Sequence, residues 1–210
     1  MQANHDVVLY VNDVLDKVAR GWLSINIEDF GKSEICYSTK VSAVDFPKRT
    51  ELTILEGVHK NQKANLDNDN MWPGLSRFFN IEGCAKLILN RDTSILRIEG
   101  FSPIDVIVDK GGINKGKYYL HLPSFQHHKK TPYIYLNETI GGSRFAETWF
   151  EFSPVLGRGH GQFMHFGRFS SGCITVPYRK ESSGIIWTNI FLMLLRARLN
   201  ETIIGELEVV

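Results

Sequence analysis

This sequence predicts a mainly β fold, α+β overall: two packed sheets or a flattened barrel with a C-terminal helix, preceded by an N-terminal α/β region. Three observations carry that reading. Short β-branched runs recur beyond Gly83 between turn-forming residues. Glycines gather at Gly157, Gly159, Gly161, Gly167 and Gly172, so the backbone bends often there. The stretch from Ile185 to Asn200 reads as one apolar helix, with Arg196 and Arg198 near its C-terminal end where cations suit the helix dipole.

Along the chain, Val7, Val8, Val11, Val14, Leu15 and Val18 mix three- and four-residue spacings, which predicts an amphipathic helix. From Trp22 to Val44 short apolar pieces alternate with polar residues, a mixed region with strand character. His59 to Asn70 is polar and turn-rich and predicts a surface loop, and Met71-Trp72-Pro73-Gly74 predicts an anchoring turn. Lys86–Leu89, Ile95–Ile98 and Asp105–Val108 predict an antiparallel meander, continued by Tyr118–Leu122, Tyr133–Leu136 and Thr148–Phe152. The expected boundary separates an accessory region, residues 1–84, from a main domain, residues 85–210.

At 210 residues, 43% of them apolar, the chain is long enough to bury its own core. Lys and Arg exceed Asp and Glu by 24 − 23 = 1, so no bulk positive field draws it to nucleic acid. Three cysteines, Cys36, Cys84 and Cys173, form no disulfide framework and no C-x-x-C pair. No secretory signal is visible at the N-terminus, and the longest greasy stretch, Ile185 to Leu195, falls short of the roughly 20 residues a membrane span needs.

The chemistry concentrates between Gly161 and Val176. A thiol is a few per cent thiolate near neutrality, so a nucleophilic cysteine needs a base or convergent N–H dipoles. His165 stands eight residues before Cys173. With Gly167 and Gly172 between them, the chain is expected to fold back as a hairpin and bring imidazole and sulfur together. Ser170, Ser171 and Gly172 precede the nucleophile, and the Gly172 and Cys173 amides are candidates to hold an oxyanion. The plain alternative is a buried, inert structural thiol.

Phe163-Met-His165-Phe-Gly167 followed by Ser170-Ser171-Gly172-Cys173-Ile174 resembles the active-site signature of the L,D-transpeptidase (YkuD-like) cysteine enzymes. Gly111-Gly112-Ile113-Asn114-Lys115-Gly116-Lys117-Tyr118-Tyr119 resembles the family's Gly-x-Ile-Pro-x-Gly-x-Tyr turn and strand, with Asn114 in place of proline. Trp149, Gly157 and Arg158 are similar to the compact branch that includes secreted antibacterial effectors. The resemblance covers roughly residues 85 to 180. It implies an L,D-transpeptidase-like β-sandwich or flattened barrel acting on peptidoglycan stem peptides through a thioester. Cys173 would be the nucleophile and His165 the base, with Gly172 and Ser170 completing the catalytic set and no cofactor. It also implies delivery to the periplasm or cell envelope of a target by non-classical secretion, with secretion machinery or an immunity protein as partner. Typical members space base and nucleophile further apart and carry His and Arg where Ser171 and Thr175 stand here. Binding of the substrate is therefore expected from Arg168, Arg158, Ser171 and His160.

Two other classes fit the residues. One is a non-catalytic wall-binding module of the same fold. The other is a zinc or cysteine hydrolase on another peptide, its metal set drawn from His160, His165 and Cys173. His121, His127 and His128 beside Lys129 and Lys130 read as a solvated basic loop, with a cleft facing an anionic polymer as the functional alternative.

Overall fold

The computed structural model describes residues 7–12, 14–46, 49–67, 75–77, 79–109, 111–156, 161–179 and 182–210. The chain divides into two compact units, residues 1–80 and 81–210. Both are sheet structures, and the protein is mainly β.

The described residues of the first unit form one antiparallel sheet of seven strands. These are β1 (Val7–Val11), β2 (Trp22–Ile27), β3 (Gly31–Cys36), β4 (Lys40–Phe46), β5 (Arg49–Ile54), β6 (Lys63–Asp67) and β7 (Leu75–Ser76), in the order β3-β2-β6-β5-β4-β1-β7. The helix expected over Val7–Val18 is a strand at Val7–Val11 followed by turns, and Val18 is fully in solvent. Consecutive β-branched valines suit a pleated strand, and β1 gains partners on both sides, from β4 and β7; pairing outweighs the helical spacing. The α/β character expected of this region is therefore absent from its described residues. The loop expected over His59–Asn70 contains β6, whose Ala64 and Leu66 alternate into the core. The Met71–Gly74 turn lies outside the described residues.

The second unit is a nine-stranded sheet that nearly closes into a barrel. Its strands are β8 (Ala85–Asn90), β9 (Ile95–Ile98), β10 (Ile104–Asp105), β11 (Ile107–Val108), β12 (Gly116–His121), β13 (Phe150–Pro154), β14 (Gln162–Gly167), β15 (Ile174–Pro177) and β16 (Ile203–Val209). The order is β10-β9-β8-β16-β12-β13-β14-β15-β11. Its two edges are consecutive in sequence. The run expected as one strand at Asp105–Val108 is split by Val106, with Ile104 and Asp105 on β9 and Ile107 and Val108 on β15. That one-residue step carries the chain from one edge of the sheet to the other. The expected meander holds for β8, β9 and β10, while β16–β8 and β14–β15 are parallel pairs.

Among the described residues this unit also holds two α-helical elements, with 3₁₀ turns at His128–Lys130 and Glu138–Ile140. Tyr133–Leu136 is the single helical turn α1 rather than the expected strand: Pro132 precedes it with φ −59°, which suits entry into a helix, and of its residues Tyr135 is buried. Helix α2 (Ser183–Arg196) buries Trp187, Ile190, Phe191, Leu194 and Leu195, the stripe its period requires. Trp187 lies between Phe150 and Phe166, and its indole N–H donates to the Phe145 carbonyl at 3.0 Å. The first turn of α2 packs on backbone, because a Cβ at Gly184 would lie 1.8 Å from the Gly142 carbonyl oxygen. Among the described residues no helix is long and apolar enough to cross a membrane.

Candidate active site

Alternation along two neighbouring strands builds the site. On β14, Met164 and Phe166 turn inward to the core, which leaves Phe163 and His165 on the opposite face. On β15, Ile174 and Val176 fill the core and Thr175 lies on the other face, with Cys173 directly before the strand. The strands pair in parallel, with His165 beside Thr175 and Met164 beside Ile174. Cys173 stands two residues before the position opposite His165, and both residues line one cleft. The parallel pairing corrects the expected hairpin. Parallel strands ordinarily need a connection of about a dozen residues or more. Here the residues between Gly167 and Ile174, from Arg168 to Cys173, make the return, with Gly172 at φ +71° where a left-handed backbone is required.

That connection walls an open cleft of about 400 Å³, lined by His165, Cys173, Trp149, Phe163, Lys130 and Arg168 among others. Gly112 packs against this connection. A Cβ on Gly112 would fall 2.4 Å from Gly172 Cα, and the Gln162 side-chain amide donates to the Gly112 carbonyl. The Gly-Gly turn and the Ser-Ser-Gly-Cys turn, sixty residues apart in sequence (172 − 112 = 60), thus meet backbone to backbone. Gly112→Ala is expected to destabilise the second unit by about 1–3 kcal/mol, the usual cost of overpacking. Gly111→Ala, whose Cβ would meet a side-chain oxygen of Asp109 at 3.6 Å, is the control. Urea unfolding of the two variants checks this.

His165 is 7% exposed and stacked on Trp149, centroids 4.4 Å apart and planes 20° from parallel. Trp149 is stacked on its other face by His127 at 4.2 Å and 10°, and Phe163 meets both His127 and Trp149 edge-on. Burial pushes His165 down to about 4, partly offset by its hydrogen bond to the Phe166 carbonyl. Burial does the same to His127, also to about 4, helped by the charges of Lys130 and His165. Both imidazoles are neutral at pH 7. The Nε2 of His165 lies 3.1 Å from Thr175 Oγ1 and its Nδ1 lies 3.3 Å from the Phe166 carbonyl oxygen.

Burial raises the pKa of the Cys173 thiol, opposed by a backbone hydrogen bond from Phe163, the charge of Lys130 and a backbone hydrogen bond from Ser171. The Cys173 amide donates to Ser170 Oγ at 3.3 Å, and the Ser170 hydroxyl donates back to the Cys173 carbonyl. The expected oxyanion donor is thus engaged within its own turn in this state. Cleft-lining Arg168 holds its guanidinium carbon 4.9 Å above the Tyr178 ring, and Ser171 is exposed at the rim. Arg158 and His160 lie outside the described residues. Among the described residues, no three His, Cys, Asp or Glu side chains gather closely enough to hold a metal ion.

The sequence reading did not place Trp149 and Thr175 among the site residues, and it read His127 and Lys130 as a solvated basic loop with a cleft as the alternative. His127 is 6% exposed, so the solvated-loop reading fails for it, whereas the His128 side chain is largely exposed and contacts Glu147 at 3.1 Å. Lys130 places its ammonium 5.9 Å from the Trp149 centroid and lines the cleft. Comparison with known proteins returns no matching family model, no matching curated protein and no matching solved structure.

Proposed function

We propose that residues 81–210 form a cysteine-dependent acyltransferase acting on peptidoglycan stem peptides, in the manner of the L,D-transpeptidases that the segment resembles. The observation that carries this reading is that His165 on β14 and Cys173, directly before the parallel strand β15, line one cleft. The two motif pieces behind the resemblance also meet at Gly112 and Gly172. The cleft suits an anionic peptide: its charged lining residues among those described are Lys130 and Arg168, set beside aromatic rings.

In this mechanism the Cys173 thiol gives its proton to His165, and sulfur attacks the carbonyl between the third stem residue and D-alanine. His165 returns the proton to the departing amine of D-alanine, leaving a thioester. An amine that resolves it makes a cross-link or exchanges a D-amino acid; water completes a carboxypeptidase cycle. Such a substrate lies in a bacterial cell envelope, which is where this function would operate, as a secreted antibacterial effector.

A second reading, a non-catalytic wall-binding module of the same fold, is favoured by the buried protonated thiol and the engaged Cys173 amide. A zinc hydrolase is the third. Defined tetrapeptide muropeptides, analysed by mass spectrometry after incubation, separate them. The cysteine enzyme is expected to release D-alanine in excess chelator and to stop after iodoacetamide. Activity that dies in chelator and returns with zinc would establish the hydrolase, and binding without any product would establish the module.

A further inference from the structure

We propose that the Thr175 hydroxyl is a positioning group for proton transfer, completing the hydrogen bonds that His165 makes only as an imidazolium. The inference rests on the Cys173–His165 reading above and deepens it. Thr175 is fully buried on β15, in register with His165. Three contacts form a chain: Nδ1 of His165 to the Phe166 carbonyl at 3.3 Å, Nε2 to Thr175 Oγ1 at 3.1 Å, and Thr175 Oγ1 to the Phe169 carbonyl at 2.8 Å.

Counting protons along the chain decides which charge state it fits. Both carbonyl oxygens only accept, so three contacts need three hydrogens. A neutral imidazole and a hydroxyl supply one each, leaving one contact without a proton. An imidazolium supplies two and the hydroxyl one, and every contact is satisfied. Before transfer, Nδ1–H donates to Phe166 and the Thr175 O–H donates to the Nε2 lone pair. On transfer the hydroxyl rotates to donate to the Phe169 carbonyl and frees the Nε2 lone pair, the S–H bond of Cys173 breaks, and an Nε2–H bond forms that Thr175 Oγ1 accepts. The products are a thiolate and an imidazolium, with every proton accounted for. The arrangement is thus complementary to the charged pair rather than to the resting one.

This role belongs to the chain's own residue, since the family that the segment resembles carries arginine at this place. The other charged or titratable groups facing the pair are Lys130, Tyr135 from α1, Arg168, and His127 behind Trp149. Among the cleft-lining residues described there is no carboxylate to hold the imidazolium proton instead.

The test is the pH dependence of Cys173 alkylation by iodoacetamide, followed site by site with mass spectrometry, alongside turnover of tetrapeptide muropeptides. Thr175→Val keeps the shape and removes the hydroxyl; Thr175→Ser restores it. Relative to the parent, Thr175→Val is expected to move the midpoint upward by about one pH unit, equivalent to roughly tenfold slower alkylation at pH 7. Thr175→Ser is expected to stay within about a third of a unit, well inside that shift. Should the valine variant not fold, Thr175→Ala carries the same expectation. An unshifted midpoint in the hydroxyl-free variant, with the parent turning over, would overturn the Thr175 role alone. A shifted midpoint without turnover by the parent would support Thr175 while removing the stem-peptide function. A parent thiol inert to alkylation would overturn both.

Discussion

Replacing Cys173 with alanine is expected to abolish turnover on tetrapeptide muropeptides to the limit of detection while leaving the fold intact. The thioester needs a nucleophilic atom at that position, and the other two cysteines cannot supply it. Cys36 is buried in the first unit, bonded to Thr39 Oγ1 at 3.3 Å, and Cys84 directly precedes β8, outside the residues that line the cleft. A buried sulfur exchanged for a methyl loses little packing, so near-UV circular dichroism and the urea midpoint are expected to change little. His165→Ala is expected to cost at least about 10²-fold in kcat, the low end of what a positioned base contributes. Full turnover in Cys173→Ala would refute the cysteine enzyme outright.

Acidification is the second large effect, and it falls on stability. His127 and His165 ionise near 4 in the folded protein against an ordinary 6.5, because burial disfavours their charged forms. Between those values the unfolded chain binds protons that the folded one does not. Stability is therefore fully present above about pH 6.5 and is lost as pH falls toward 4. A depression of that size corresponds to on the order of 3 kcal/mol per group. Two such groups amount to a sizeable share of the roughly 5–15 kcal/mol that holds a typical domain together. Urea midpoints measured from pH 7.5 down to 4.5 are expected to drop steeply in the parent. In His127→Phe, which keeps a ring against Trp149 and removes one titrating group, they are expected to fall about half as far. A parent profile flat across this window would show that the two imidazoles are not held neutral by burial.

The strand pattern of the second unit was legible because its runs alternate: Ala85, Leu87 and Leu89 point inward and Lys86 and Ile88 outward. Strand direction was not. A fold-back of so few residues between His165 and Cys173 suggests a hairpin, and nothing in the local composition announces that the return runs back along the strands and leaves the pair parallel. Tyr133–Leu136 reads as strand by its aromatic and β-branched residues, yet Pro132 starts a helical turn there. Cys173 and His165 were singled out as candidate nucleophile and base because they lie close in sequence with small residues between them. His127 and Trp149 were not placed in the site because ring stacking has no sequence period and their partners come from other elements. Thr175 was noticed as a departure from the arginine expected there, and its bond to His165 follows from strand register that the sequence alone does not reveal.

The pairing of β8 with β16 bears on how the protein is made. These are the first and last strands of the second unit, joined in parallel near the middle of its sheet, with Gly205 beside Ala85 and Val209 beside Leu89. During synthesis β8 leaves the ribosome more than a hundred residues before its partner, and β12 waits through 82 residues (203 − 121 = 82) for β16, its other neighbour. At about 5–20 residues per second, that leaves apolar strand edges without their final partners for several seconds. Long-range pairings of this kind also slow the folding step itself. The nascent second unit is accordingly a substrate for chaperones and proteases until β16 emerges, and a ribosome stalled before Ile203 would present a chain whose sheet has no centre.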